Sequence, residues 1–235
     1  MDLSKILFFD IETIPQFKSF DKAPEADQKL WAEKAQYLLK TDEDTVQSIY
    51  GRAGIYAEFG RIVCISVGFI SEREGNRSLR LKSYYGDDEK QLLGEFAELL
   101  SKHFNGNDHL LCGHNGREFD FPYIARRMIV HQIELPSKLN LFGKKPWEIP
   151  HLDTMELWKF GDYKHYSSLQ LLTSILGIPS PKDDIEGSHV AKVYYKDKDL
   201  DRIVSYCEKD TIAVAQLLIR FNNEKRIDKN EITKV

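Results

Sequence analysis

Cysteine is scarce in this 235-residue chain. Its three cysteines, Cys64, Cys112 and Cys207, lie far apart. Each sits in an apolar pattern, so the sequence offers no disulfide framework and no zinc-ligand spacing. They read as buried free thiols in a reducing compartment. No apolar run approaches the length of a membrane span, and no signal-peptide pattern precedes the first strand. The chain is therefore expected to be soluble, intracellular and cytoplasmic, with no membrane partner. Positive charge is not in excess either: the net charge is −4 and the pI is near 6.0. This argues against a protein that coats long nucleic-acid tracts, which takes a basic surface. It does not exclude binding of a nucleic-acid end, because bound cations offset several acidic side chains. Internal repeats, low-complexity tracts, a glycine-rich phosphate loop, a G-x-S-x-G elbow and H-E-x-x-H are all missing from the sequence.

What is present is centred on residues 5–13, KILFFDIET. The apolar run at 6–9 reads as a strand buried on both faces. It runs into Asp10 and Glu12, two apart, so both carboxylates point to one side of an extended chain. Two such groups at the end of a buried strand repel each other unless something positive sits between them. A divalent cation would serve; so would a strand that simply runs out into an acidic turn, and this stretch alone leaves both readings open.

Residues 16–59 read as an insertion between two strands. They contain a helix that begins near Pro24 and sets Trp31, Ala35, Leu38 and Leu39 on one face. The insertion is either an appendage packed by Trp31 or a lid or substrate arm. Strands follow at 61–71 and 80–85, joined by a turn and expected to pair antiparallel. Asp88, boxed by Gln91, opens a helix with the stripe Leu92, Leu93, Phe96, Leu99, Leu100 and Phe104. A short buried strand at 109–112, a helix at 121–130, a loop at 137–150 and a short strand and turn at HLDTMELW come next. Ser167 and Gln170 suggest a capping box for a helix that stops at Gly177. A short helix at about 188–195 precedes a long one that starts at Asp199. The tail from Asn222 is polar and expected to be frayed. No linker divides the chain, so one domain over 1–235 is expected. The β–insertion–ββ–α–β–α–β order implies a mixed sheet with helices on its faces. Its ligand would lie at the carboxyl end of the first strand, where Asp10 and Glu12 are.

Two further acids stand out. Asp120, in GHNGREFDFPYI, sits in the first turn of its helix, where a lone acid is also favoured by the helix dipole. Asp210, in YCEKDTIAVAQLL, shares a helix face with Tyr206 four residues earlier, an arrangement that a surface hydrogen bond would also explain. Taken together, four acids from a strand end, a post-strand turn and a late helix are the oxygen set that hard divalent cations take. Two ions roughly 4 Å apart activate a water and stabilise the leaving oxygen in phosphodiester cleavage. His114 is the only histidine beside a motif and reads as a polar neighbour. Asp153 reads as a helix cap rather than a site acid, and Asp183, Asp184 and Glu186 as a solvated loop.

FDIET, NGREFD and YCEKD match, in order and type, the three motifs of the DEDD superfamily of 3′–5′ exonucleases. The longer second motif is especially similar to the proofreading domain of family B DNA polymerases. The chain as a whole resembles the predicted stand-alone exonucleases related to that domain. The resemblance implies a ribonuclease H-like α/β fold with a mixed five-stranded sheet flanked by helices. It also implies a site of Asp10, Glu12, Asp120 and Asp210 holding two divalent cations, Mg²⁺ or Mn²⁺. Asp10, Glu12 and Asp210 would hold the first cation, Asp10 would bridge to the second, and Asp120 would help hold the second through water. Tyr206 places the chain in the tyrosine branch, because the position five before Asp210, where the histidine branch carries its His, is Ser205. A tyrosine near pKa ~10 is a poor base, so orienting the water is its easier role. Thr13, Asn115 and Phe119 match positions that contact the terminal nucleotides, with Tyr56 or Phe59 as further stacking candidates. The expected activity is metal-dependent 3′–5′ hydrolysis of single-stranded DNA, or of DNA 3′ ends, to nucleoside 5′-monophosphates. The alternatives are an exoribonuclease with the same site, an inactive module that binds nucleic-acid ends, and a small-molecule phosphodiesterase.

Overall fold

The computed structural model describes residues 1–73, 75–162, 166–179 and 185–235. Its centre is β1 (Ile6–Pro15), flanked in the sheet by β2 (Gly60–Arg73) and β4 (Leu110–Gly113). β3 (Asn76–Tyr85), β5 (Leu152–Asp153) and β6 (Ile232–Lys234) complete the order β5-β4-β1-β2-β3-β6. β1, β2 and β3 pair antiparallel in sequence, whereas β1–β4, β4–β5 and β3–β6 pair parallel. The sheet is thus mixed, consistent with the ribonuclease H-like α/β expectation, but it has six strands rather than five.

The sixth strand comes from the tail, which is held in place instead of frayed. Ile227 is buried. The Gln216 amide donates to the Ile227 carbonyl at 2.7 Å and accepts its N–H at 3.2 Å, and β6 then pairs with β3. Three residues of Ile-Thr-Lys in a polar stretch are too short to show a strand period, which is why the sequence does not reveal them.

The alternation of β1 feeds two cores. Leu7, Phe9 and Ile11 pack on one face against α2 (Glu89–His103) and α3 (Asp120–Val130), with Phe9 5.9 Å from Phe96 and 5.3 Å from Phe121. Ile6 and Phe8 pack on the other against α7 (Leu200–Phe221) through Val214, Ala215 and Leu218. A buried carboxylate joins the first layer to the sheet. Glu89 accepts from the Ile62 N–H at 2.7 Å and from Arg127 Nη2 and Nε at 2.6 and 2.9 Å.

Residues 16–59 contain α1 (Glu25–Ala35) and a 3₁₀ segment, Tyr50–Ile55. Trp31 is their hub: its indole donates to the Val46 carbonyl at 2.8 Å, and it meets Tyr50, Tyr56 and Phe59 at ring distances of 5.6, 6.4 and 5.3 Å. The helix stops at Ala35, so Leu39 does not join the buried face and is 40% exposed.

Between β5 and α7 lie α4 (Thr154–Lys159), α5 (Leu169–Ile175) and α6 (Val190–Lys192), the last running into a π-helical turn, Val193–Asp197. The cap of α5 is Ser168 rather than Ser167, and Gln91 bonds Glu95 instead of closing a box on Asp88. Asp183 and Asp184 lie outside the described residues, and Glu186 is exposed. Among the described residues no helix is long and apolar enough to cross a membrane.

Candidate active site

Asp10 and Glu12 continue the β1 face that begins with Ile6 and Phe8, so acids replace apolar residues where β1 passes under α7. The β1–β2 register shifts directly after Glu12: Glu12 pairs with Cys64 but Thr13 pairs with Ile62. A bulge of this kind twists a strand end and re-aims its side chains. Glu12 is 6% exposed. Asp10 Oδ2 is buried without a hydrogen-bond partner.

α7 brings Tyr206 and Asp210 to the same place. Asp199 caps the helix, accepting the Arg202 N–H at 3.1 Å. Two bonds then fix its rotation: the Thr211 hydroxyl donates to the Ser66 carbonyl at 3.1 Å, and the Cys207 thiol donates to the Asp10 carbonyl at 3.3 Å. Tyr206 and Asp210, one turn apart, are both buried, and the phenol hydrogen-bonds the Asp210 carboxylate. Ser205 points to solvent.

Asp120 arrives by a third route. The chain leaves β4 at Gly113 and turns through Asn115, whose φ of 61° is left-handed, a conformation Asn tolerates better than most side chains. This is a turn into a helix, not the hairpin that an Asn-Gly pair commonly makes. Asp120 is the first residue of α3 and is 4% exposed. Its carboxylate accepts the backbone N–H of Ile11, which ties α3 to the strand between Asp10 and Glu12. The turn itself is held by Asp153, which accepts from the N–H groups of Asn115 and Arg117 at 3.0 and 3.1 Å.

The four carboxyls line one cleft of about 760 Å³, together with Tyr206, Thr13, Asn115 and Phe119. All eight sequence-named residues therefore meet there. Tyr56 and Phe59 do not; they are turned to Trp31. Asn115 presents a buried, unpartnered Oδ1. Phe119 is backed by the Tyr123 ring at 5.3 Å, and the Thr13 side chain bonds the Tyr123 hydroxyl. His114 also lines the cleft, but both ring nitrogens are engaged, with the Thr154 hydroxyl and the Ser167 carbonyl, each at 2.9 Å. Burial lowers its pKa, which fits a neutral structural neighbour.

The electrostatics are those of acids crowded into one buried site. Burial, then Asp210, Glu12 and Asp120, raise the Asp10 pKa well above the carboxylate range. Burial, then Asp210, raise Glu12 in the same way. Burial and Asp153 push Asp120 up to about 7. Burial and the facing acids raise Tyr206, which keeps it a phenol. The unpartnered Asp10 oxygen and the crowded acids fit a divalent cation, which would supply the missing charge.

One residue near this cluster gave no functional signal in the sequence. Cys207 Sγ lies with one oxygen each of Asp10 and Glu12 so that all three are within 4.8 Å of one another. Its position on the apolar stripe of α7 reads as core, and only the packing of α7 across the end of β1 reveals the contact.

A family model described as a predicted 3′–5′ exonuclease related to the exonuclease domain of PolB matches residues 55–234. The match contains Asp120, Tyr206 and Asp210, while Asp10 and Glu12 precede it.

Proposed function

The chain belongs to the family of predicted 3′–5′ exonucleases related to the exonuclease domain of PolB, and from that premise we propose that it removes nucleotides from the 3′ end of single-stranded DNA as nucleoside 5′-monophosphates. The observation that carries this reading is the convergence of four buried carboxyls from β1, α3 and α7 around one cleft, with an Asp10 oxygen left unpartnered. In this proposal Asp10, Glu12, Asp120 and Asp210 would together hold two divalent cations. When bound, Mg²⁺ or Mn²⁺ would lower the pKa of a water and carry charge on the leaving oxygen.

The chain's own residues do the rest. Tyr206 is a hydrogen-bond donor fixed on Asp210, which suits orienting a water rather than removing its proton and agrees with the tyrosine branch. Phe119, braced by Tyr123, offers a face for the terminal base. Asn115 Oδ1 is an acceptor in want of a donor and Thr13 stands beside Glu12, so both are suited to hold the terminal nucleotide. Support for DNA over RNA comes from the relation of the family to the PolB exonuclease domain.

The test uses 5′-labelled single-stranded DNA and RNA of one sequence, with Mn²⁺, with Mg²⁺ and with EDTA. The expected result is a cation-dependent ladder that shortens from the 3′ end, faster on DNA. Faster shortening of RNA would move the substrate to RNA. No shortening of either polymer would overturn the exonuclease reading.

A further inference from the structure

The cleft that the acids line is also lined by the segment between β1 and β2. This wall supplies Ser48, Ile49, Gly51, Arg52, Gly54 and Ile55. All but Ile55 precede the residues matched by the family model, so the family assignment says nothing about what the wall does. Its charge is distinctive: among the described residues lining the cleft, Arg52 is the one Lys or Arg.

We propose that Arg52 holds a backbone phosphate of the strand entering the cleft, making the segment before β2 a substrate-binding wall rather than a surface appendage. The proposal rests on the nucleic-acid reading of the cleft. A polyanion that approaches four carboxyls needs a cation wherever its phosphates are not neutralised by bound metal, and a guanidinium suits phosphate by geometry and by permanent charge. The Leu38 carbonyl accepts from Arg52 Nη1 at 2.9 Å, which steadies one arm of the guanidinium without neutralising it.

The wall is also fixed against the strand that carries Asp10 and Glu12. The Tyr123 hydroxyl donates to the Gly54 carbonyl at 2.8 Å, and the Gln16 N–H donates to the Phe59 carbonyl at 2.8 Å. Gly54 lies so close to β1 that a Cβ there would stand 3.0 Å from the Ile14 carbonyl carbon and the Pro15 nitrogen. Arg127 Nη1 donates to the Ala57 carbonyl at 3.0 Å, extending the buried Glu89–Arg127 pair into the wall. The segment that carries Arg52 is thus tied to β1 and α3, and Arg52 itself to the Leu38 carbonyl, so little ordering of the backbone remains to be done on binding. This favours a fixed wall over a mobile lid.

The experiment measures equilibrium binding of 5′-fluorescein oligothymidylate in Ca²⁺ by anisotropy, with hydrolysis in Mn²⁺ followed in parallel. Wild type is compared with Arg52→Gln, which keeps a donor for Leu38 but removes the charge, and with Arg52→Lys, which keeps the charge. A single neutral methylphosphonate is placed in turn at each of the first three linkages from the 3′ end. The expected result is about tenfold weaker binding for Arg52→Gln, with a salt slope shallower by about 0.7, and partial rescue by Lys. At one linkage the methylphosphonate should weaken wild type but not Arg52→Gln. Equal losses in both proteins at every linkage, or unchanged binding by Arg52→Gln, would overturn the assignment. Coupling in binding without hydrolysis by wild type would leave Arg52 as a phosphate contact and remove the nuclease reading instead.

Discussion

The Asp153 carboxylate accepts the backbone N–H of Asn115 at 3.0 Å while it also caps its own helix through the N–H of Met155 at 2.9 Å. One buried side chain therefore ends β5, starts α4 and fixes the turn that delivers Asp120. It does not line the cleft, and it acts on the site through the turn it holds and through its charge, which raises the Asp120 pKa. Asp153→Ala would leave several buried N–H groups without an acceptor, at a cost of about 3 kcal/mol in urea denaturation. Asp153→Asn, which keeps a carbonyl acceptor, should cost less. Both should lower nuclease activity by loosening Asp120. Wild-type stability in Asp153→Ala would contradict this role.

The acid cluster makes stability depend on pH in an unusual sense. Asp10, Glu12 and Asp120 have raised pKa values in the folded chain, Asp120 to about 7. They bind protons more tightly folded than unfolded. Their contribution to stability is thus full below the ordinary carboxylate value of about 4 and is lost as pH rises through the folded-state values, about 7 for Asp120. In EDTA, the melting temperature should fall between pH 5 and pH 8, with a smaller fall in Asp120→Asn. Mn²⁺ should raise it more at pH 8 than at pH 5, because a cation binds the ionised cluster. A melting temperature that ignores both pH and Mn²⁺, and is the same in Asp120→Asn, would show that the cluster is not waiting for a counter-charge.

Tyr206→Phe removes only the hydroxyl bonded to Asp210 and keeps the buried ring. The variant should fold normally and lose about 10²-fold in kcat, with KM little changed, if the phenol orients the water. The loss should be similar from pH 6 to pH 9. A wild-type rate in this variant would remove Tyr206 from the mechanism.

The residues legible in sequence were those whose local pattern forced an answer. Asp10 and Glu12 follow an apolar run that reads as a buried strand, and period two sets them on one side. Tyr206 and Asp210 follow from the helix period. What remained hidden depended on contacts distant in sequence. The pairing of β6 with β3 adds a strand that the polar tail does not announce. The contact between Cys207 and Asp10 spans most of the chain. Arg52 gave no signal either, because the cleft it faces exists only after the segment before β2 packs back on β1. Tyr56 and Phe59 misled for the complementary reason: aromatic residues between glycines look available for stacking, but Trp31 had already claimed them.

The central claim is that four carboxyls act as one cation-holding hydrolytic site. Its most direct test is the rate of nucleoside 5′-monophosphate release from single-stranded DNA in Mn²⁺ by wild type, Asp10→Asn, Glu12→Gln, Asp120→Asn and Asp210→Asn, each verified as folded by circular dichroism. The account predicts that wild type releases mononucleotides and that every variant falls by about 10²–10³-fold or more. A wild-type rate in any one of the four would contradict it.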